Sequence, residues 1–226
     1  MAGIVIQLVI SWFLLWLVEK RNLSALGLLP TKQQMKYVVV GLVIPMIFVC
    51  AFWFAATWLV KNHFVLNQDY TARQFFSSVW YVFKSVMFEE LIFRGALLFI
   101  LIKRTGVRTA VAISAVAFGI YQWLSFGIFG QPLNMIFVFI STGIVGFVLA
   151  LAFQKTRSLY VPIALHFGYN FTSMIIFSSD KSIGQQLLVK AYEKDPASAG
   201  AFLSVVVAVV YFLGFPVLTY LYLRSI

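Results

Sequence analysis

The sequence predicts an all-α membrane protein, a polytopic transmembrane helical bundle of about seven spans with its N-terminus outside and its C-terminus inside. Three observations carry this reading. Of the 226 residues, 62% are hydrophobic and only 11% are charged, against about 25% charged in soluble domains. Apolar stretches long enough to span about 30 Å of hydrocarbon recur along the whole chain. The basic residues behind the net charge of +10 sit in short connections between those stretches. That is the pattern of topogenic charge, and it argues against a nucleic-acid-binding surface.

The spans follow in order. The first, 2–18, has no basic leader and no small-residue cleavage site, and Lys20 and Arg21 follow it at once. It reads as a retained span with its N-terminus outside. Next, "RNLSALGLLP" packs four leucines behind a basic start and ends at Pro30, an interfacial connection. The second span is 37–60. The third, 74–102, is long enough to tilt or to begin at the interface. The fourth is 107–126, the fifth 133–153, and the short uncharged "GIFGQP" between them dips into the boundary. The sixth is 159–177. After it, "SIGQQLLVKAYEK" places Ile183, Leu187, Leu188 and Tyr192 on roughly one face of an amphipathic interfacial helix. The last span is 201–223.

Charge sets the direction. Connections on one side carry Lys20, Arg21, Lys32, Lys36, Lys103, Arg104, Arg108, Lys155, Arg157 and Arg224. The other side carries Lys61, Arg73, Lys181, Lys190 and Lys194, partly offset by Asp69, Asp180, Glu193 and Asp195. Ten against five predicts N-out and C-in, which needs an odd number of spans. The single cysteine, Cys50, allows no disulfide within the chain. Residues 1–226 read as one membrane domain with a motif-bearing core at about 75–175. The small size and the lack of a targeting signal point to a multi-pass protein of a prokaryotic cytoplasmic membrane.

Few polar residues interrupt the spans. The third holds Lys84, Glu89, Glu90 and Arg94, the fourth Gln122, and the sixth His166 and Asn170, with Thr172 and Ser173 just beyond. Each charge costs roughly 2.5–3.5 kcal/mol at a membrane centre on insertion scales. Glu90 and Arg94 are four apart, which favours an ion pair on one helix face. Glu89 lies about 100° round the helix, so its partner must come from elsewhere. His166 and Asn170 share a face of the sixth helix and can supply one. Counting about 1.5 Å per residue, Glu89, Gln122, Asn170 and His166 fall in one band of the membrane, which predicts a shared hydrated cavity. Taken singly, most have plain structural explanations: Glu90–Arg94 a structural ion pair, Lys84 a snorkelling or locally paired lysine, Gln122 helix–helix glue, His166 a bonded core histidine. Glu89 is the residue such explanations fit worst.

These residues carry a resemblance. "EELIFRG" at 89–95 resembles the EExxxR motif of the CPBP intramembrane proteases, the Abi or CAAX-protease family that includes the Rce1-type prenyl-protein endopeptidases. "HFGYN" at 166–170 is similar to that family's HxxxN motif, and "FGIYQ" at 118–122 lies where its FxxxH motif belongs. The small-residue "STGIVGFVLA", the "TRSLYVPIALH" leading into the sixth span and "LSALGLLP" are similar in style. The resemblance implies a helical fold around a cavity open toward the cytosolic leaflet, and peptide-bond hydrolysis by water activated at Glu89. It implies that Glu90 and Arg94 complete the first motif, and that His166 and Asn170 form the third. Chemically, a carboxylate in such a site can serve as general base, and His166 and Asn170 can orient water or donate to an oxyanion.

The departure is Gln122, which stands where the family pattern has histidine. Family members are commonly read as metalloproteases, but a catalytic zinc needs about three protein ligands. His166 is the one histidine within a span, and His63 lies in a connection on the opposite side. No metal and no other cofactor is expected. Glutamine cannot take up a proton, although its amide can donate a hydrogen bond. If the family's histidine is mainly a donor, Gln122 keeps a weakened protease acting on a membrane-bound peptide or a lipid-anchored, CAAX-like protein. If it must shuttle a proton, the chain is an impaired member that serves as a membrane scaffold or regulator. A transporter is the weaker reading, since neither an inverted repeat nor matched broken helices is visible. The expected partners are membrane lipid and that membrane-held substrate.

Overall fold

The computed structural model describes residues 2–29, 31–177 and 186–226. Among these residues the chain forms α1 (Ala2–Glu19), α2 (Lys32–Val60), α3 (Ala72–Arg94), α4 (Ala96–Thr105), α5 (Val107–Ser125), α6 (Pro132–Thr156), α7 (Tyr160–Asn170) and α8 (Gly200–Ser225). A π-helix, Phe171–Ile176, continues α7, and a 3₁₀ turn, Leu23–Leu26, joins α1 to α2. One small antiparallel ladder pairs β1 (Phe64–Leu66) with β2 (Leu188–Lys190).

Five helices, α1, α2, α5, α6 and α8, are long and apolar enough to cross a membrane. The predicted third and sixth spans fall outside that set for physical reasons. Helix α3 carries Arg73, Lys84, Glu89, Glu90 and Arg94, and α7 is only 11 residues long before the π-helix begins. Large apolar side chains cover the outside of the bundle, among them Leu133 and Phe202 at 83% exposure, as lipid contact requires.

Two expectations are corrected. The third span, predicted as continuous over 74–102, breaks after Arg94 into α3 and α4. The joint is Gly95, where an added Cβ would sit 2.2 Å from the Leu91 carbonyl oxygen. The stretch predicted as an amphipathic helix after the sixth span is in part a strand. Leu188–Lys190 is β2, in register with Phe64–Leu66, while Ile183 lies outside the described residues. Pairing with a distant strand decides its conformation, and local spacing does not display that.

Starts and stops are set locally. Thr31 with Gln34 and Thr71 with Gln74 form capping boxes that open α2 and α3. Close packing then depends on small residues. The most extensive helix pairs are α5 with α6 and α2 with α7. A Cβ on Gly119 of α5 would lie 2.9 Å from the Phe139 carbonyl oxygen of α6. One on Gly168 of α7 would lie 2.5 Å from the Leu42 carbonyl oxygen and 3.0 Å from Pro45 of α2. Backbone cannot yield as a side-chain tip can, so Gly168→Ala is expected to destabilise the fold by about 1–3 kcal/mol. Thermal unfolding in detergent reads this, and an unchanged midpoint would contradict the α2–α7 contact.

Contacts between helix ends show which connections share a face. Lys103 pairs with Glu19 at 2.6 Å, Gln34 Nε2 donates to the Thr156 carbonyl at 3.1 Å, and Leu159 N–H donates to the Leu26 carbonyl at 2.9 Å. Tyr222 Oη donates to the Tyr37 carbonyl at 3.3 Å. One end of the bundle therefore gathers the connections that hold the ten basic residues of the more basic side, with Glu19 among them. The opposite end carries β1, β2 and Asn62, whose side chain donates to the Tyr192 carbonyl and to Asp195. The larger apolar core, including Leu15, Val86, Leu91, Leu98, Val111 and Phe153, packs around the end of α3.

Candidate active site

The last two turns of α3 present Glu89, Glu90 and Arg94, all buried. Glu90 and Arg94 have no exposed surface, and Arg94 Nη1 donates to Glu90 Oε1 at 3.0 Å. The arginine is held on its other sides as well. Its Nη2 donates to the Gly146 carbonyl of α6 at 3.3 Å, and its guanidinium lies 4.3 Å from the centre of the Phe118 ring of α5. At Gly146 a Cβ would press on the Phe118 side chain at 3.0 Å, so its small size lets α6 bring that carbonyl in. Ser114 Oγ donates to the Phe93 carbonyl at 2.9 Å and ties α5 to the same turn.

His166, from α7, joins the pair. Its Nδ1 lies 2.8 Å from Glu90 Oε1, and its ring stands edge-on to Phe118. Glu90 Oε1 already accepts from Arg94, so the histidine nitrogen facing it carries the proton and donates. The same ring orientation places Nε2 4.0 Å from Glu89 Oε2. The separation is too long for a direct hydrogen bond but lets one water reach both atoms. From α5, Gln122 Nε2 donates to the same Glu89 oxygen at 3.2 Å. Glu89, Gln122 and His166 are 8%, 6% and 6% exposed, so the cluster is nearly closed, whereas the sequence had suggested a cavity. Two surface hollows along α2 are lined by none of these residues.

The structure thus brings together Glu89, Glu90, Arg94, Gln122 and His166, with one difference from expectation. Helix α7 was to partner Glu89, but His166 hydrogen-bonds Glu90, and α5 supplies the direct partner of Glu89 through Gln122. Asn170, half-buried one turn beyond His166, makes no hydrogen bond to the others. It is the last α-helical residue before the π-helix, a feature often found at functional sites. Lys84 finds a local partner, its Nζ lying 5.9 Å from the Trp80 ring centre. The hydroxyls of Thr172 and Ser173 donate to the carbonyls of Gly168 and Tyr169 on their own helix. Two contributors were not singled out in the sequence as site residues. Phe118 precedes Gln122 by one helical turn, and Gly146 sits in the small-residue run of α6.

The donor set does not suit a catalytic zinc. Glu90 Oε1 is shared by Arg94 and His166 Nδ1, and its Oε2 is buried without a hydrogen-bond partner, while His166 is the one histidine of the cluster and Gln122 stands where a second would be needed. Among the described residues no group of three His, Cys, Asp or Glu could hold a metal ion.

A family model described as Type II CAAX prenyl endopeptidase Rce1-like matches residues 71–172. No curated protein and no solved structure matches the chain. The matched stretch holds all six motif positions, Glu89, Glu90, Arg94, Gln122, His166 and Asn170. The motif-bearing segment 71–172 therefore matches the Rce1-like members of the CPBP (Abi/CAAX-protease) family of membrane proteases.

Proposed function

We propose that this chain is an intramembrane endopeptidase that hydrolyses a peptide bond of a membrane-bound or lipid-anchored, CAAX-like substrate with a water activated by Glu89. The observation that carries the reading is the position of Glu89 Oε2, 3.2 Å from Gln122 Nε2 and 4.0 Å from His166 Nε2. A water between Glu89 and His166 would give a proton to Glu89 as its oxygen attacks the carbonyl carbon. The tetrahedral oxyanion would be met by donors from Gln122 and Asn170, and the proton held on Glu89 would pass to the leaving amine as the C–N bond breaks. Glu90 and Arg94 fix the tautomer and orientation of His166 and stay outside the reaction. The basic end of the bundle faces the cytoplasm by the charge rule, which gives N-out and C-in in a prokaryotic cytoplasmic membrane.

Gln122 favours a second reading, a catalytically impaired member that works as a membrane scaffold or regulator. The amide that touches Glu89 can donate but cannot accept and return a proton. A cleavage assay in nanodiscs separates the two, using fluorescent peptides of prenylated CAAX-like and plain transmembrane type. Under the first reading wild type cuts, and Gln122→His is expected to raise turnover about tenfold or more, in the range of a well-placed acid–base group. Cleavage by Gln122→His alone would support the second reading, as would partner capture that survives Glu89→Ala together with rescue of the loss phenotype by that variant.

A further inference from the structure

We propose that the hollow at the C-terminal end of α2, at the opposite end of the bundle from the basic cluster, is a binding site for one anionic phospholipid. The hollow has a volume of about 590 Å³ and is lined by Phe54, Thr57, Trp58, Leu59, Lys61 and His63. Its wall and its rim differ in chemistry. Phe54 and Trp58, one turn apart, are 56% and 80% exposed and continue the lipid-facing side of α2. Lys61 and His63 are exposed just beyond the helix end, and neither forms an ion pair among the described residues.

Among the described residues Lys61 has no anionic partner. Asp195, whose partner Asn62 lies between Lys61 and His63 in sequence, is engaged already. Lys190 donates to it at 2.6 Å and Asn62 at 2.8 Å, and these two hydrogen bonds hold its carboxyl below the usual range. A helix C-terminus would ordinarily repel an anion. Here the Thr57 carbonyl accepts from Asn62 N–H at 3.0 Å, the Trp58 carbonyl from Lys61 N–H at 3.4 Å and the Val60 carbonyl from Ala197 N–H at 3.1 Å. The negative end of α2 is therefore largely covered. A phosphodiester headgroup fits the rim, where Lys61 supplies a cation and His63 a ring N–H donor, and its acyl chain fits the aromatic wall, whereas free phosphate would leave that wall bare. Topogenic charge does not account for the site, because it lies at the less basic end of the bundle.

The test uses full-length protein in detergent and phospholipid brominated on its acyl chains, which quenches nearby tryptophan. The Trp58 signal is the difference between wild type and Trp58→Phe. Brominated phosphatidylglycerol is expected to quench it saturably and at lower concentration than brominated phosphatidylcholine. The double variant Lys61→Gln/His63→Gln should raise the half-saturating concentration of phosphatidylglycerol about fivefold or more, while Lys32→Gln at the opposite end leaves it unchanged. The comparison of the two lipids on wild type stands whatever the variants do to folding. Equal quenching by both lipids, or an unchanged midpoint in a folded double variant, overturns the proposal. Displacement of the lipid by millimolar inorganic phosphate also overturns it, in favour of a free-anion site.

Discussion

Glu89→Gln is expected to lower peptide cleavage by about 10²–10⁴, the range over which a positioned general base contributes. The replacement keeps the size of the side chain and its reach to Gln122 but removes the group that takes the water's proton. Its cost to folding should be small, because Glu89 accepts one hydrogen bond, from Gln122, and stands apart from the Glu90–Arg94 pair. Turnover measured in nanodiscs, with thermal unfolding followed alongside, separates chemistry from stability. Cleavage by the variant within about twofold of wild type would remove Glu89 from the mechanism.

Arg94→Met should act on the fold. Glu90 would then sit with no exposed surface and no cationic arginine, keeping only His166 Nδ1 as a donor. Breaking a buried pair from one side costs about 3–5 kcal/mol, because the remaining charge is left uncompensated. The double variant Glu90→Gln/Arg94→Met should recover much of that loss, since it removes both charges. Unfolding midpoints of the two variants and wild type measure it. A single variant within about 1 kcal/mol of wild type would show that the pair does not hold the site together.

The parts of this site that could be read from the sequence are those whose geometry is local. Glu90 and Arg94 meet because i and i+4 on one helix must meet, and Lys84 reaches Trp80 for the same reason. Helical rise alone brought Glu89, Gln122 and His166 to a common depth. It could not show that His166 would turn Nδ1 to Glu90 and leave Gln122 as the direct partner of Glu89. That depends on how α5 and α7 rotate and cross against α3, which is set by backbone contacts at Gly119 and Gly168. The break at Gly95 and the strand at Leu188–Lys190 were hidden in a similar way. One rests on a close approach to the Leu91 carbonyl, the other on pairing with residues more than a hundred positions earlier. Helix against strand cannot be decided from a short apolar run such as Leu187 and Leu188.

Of the three helices that carry the catalytic candidates, α3 and α7 are also the two predicted spans that fail the measure of a self-sufficient membrane crossing. On its own, α3 would take several charges into hydrocarbon at roughly 2.5–3.5 kcal/mol each, and α7 is too short. What makes them tenable is the company of other helices: the Gly146 carbonyl of α6, the Phe118 face of α5 and the Leu42–Pro45 surface of α2. Biogenesis of this protein therefore has an order built into it. Five helices can enter the bilayer on hydrophobicity alone, and the reactive pair settles among them afterwards. The Glu89–Gln122–His166 cluster comes together only when that scaffold has closed around α3 and α7.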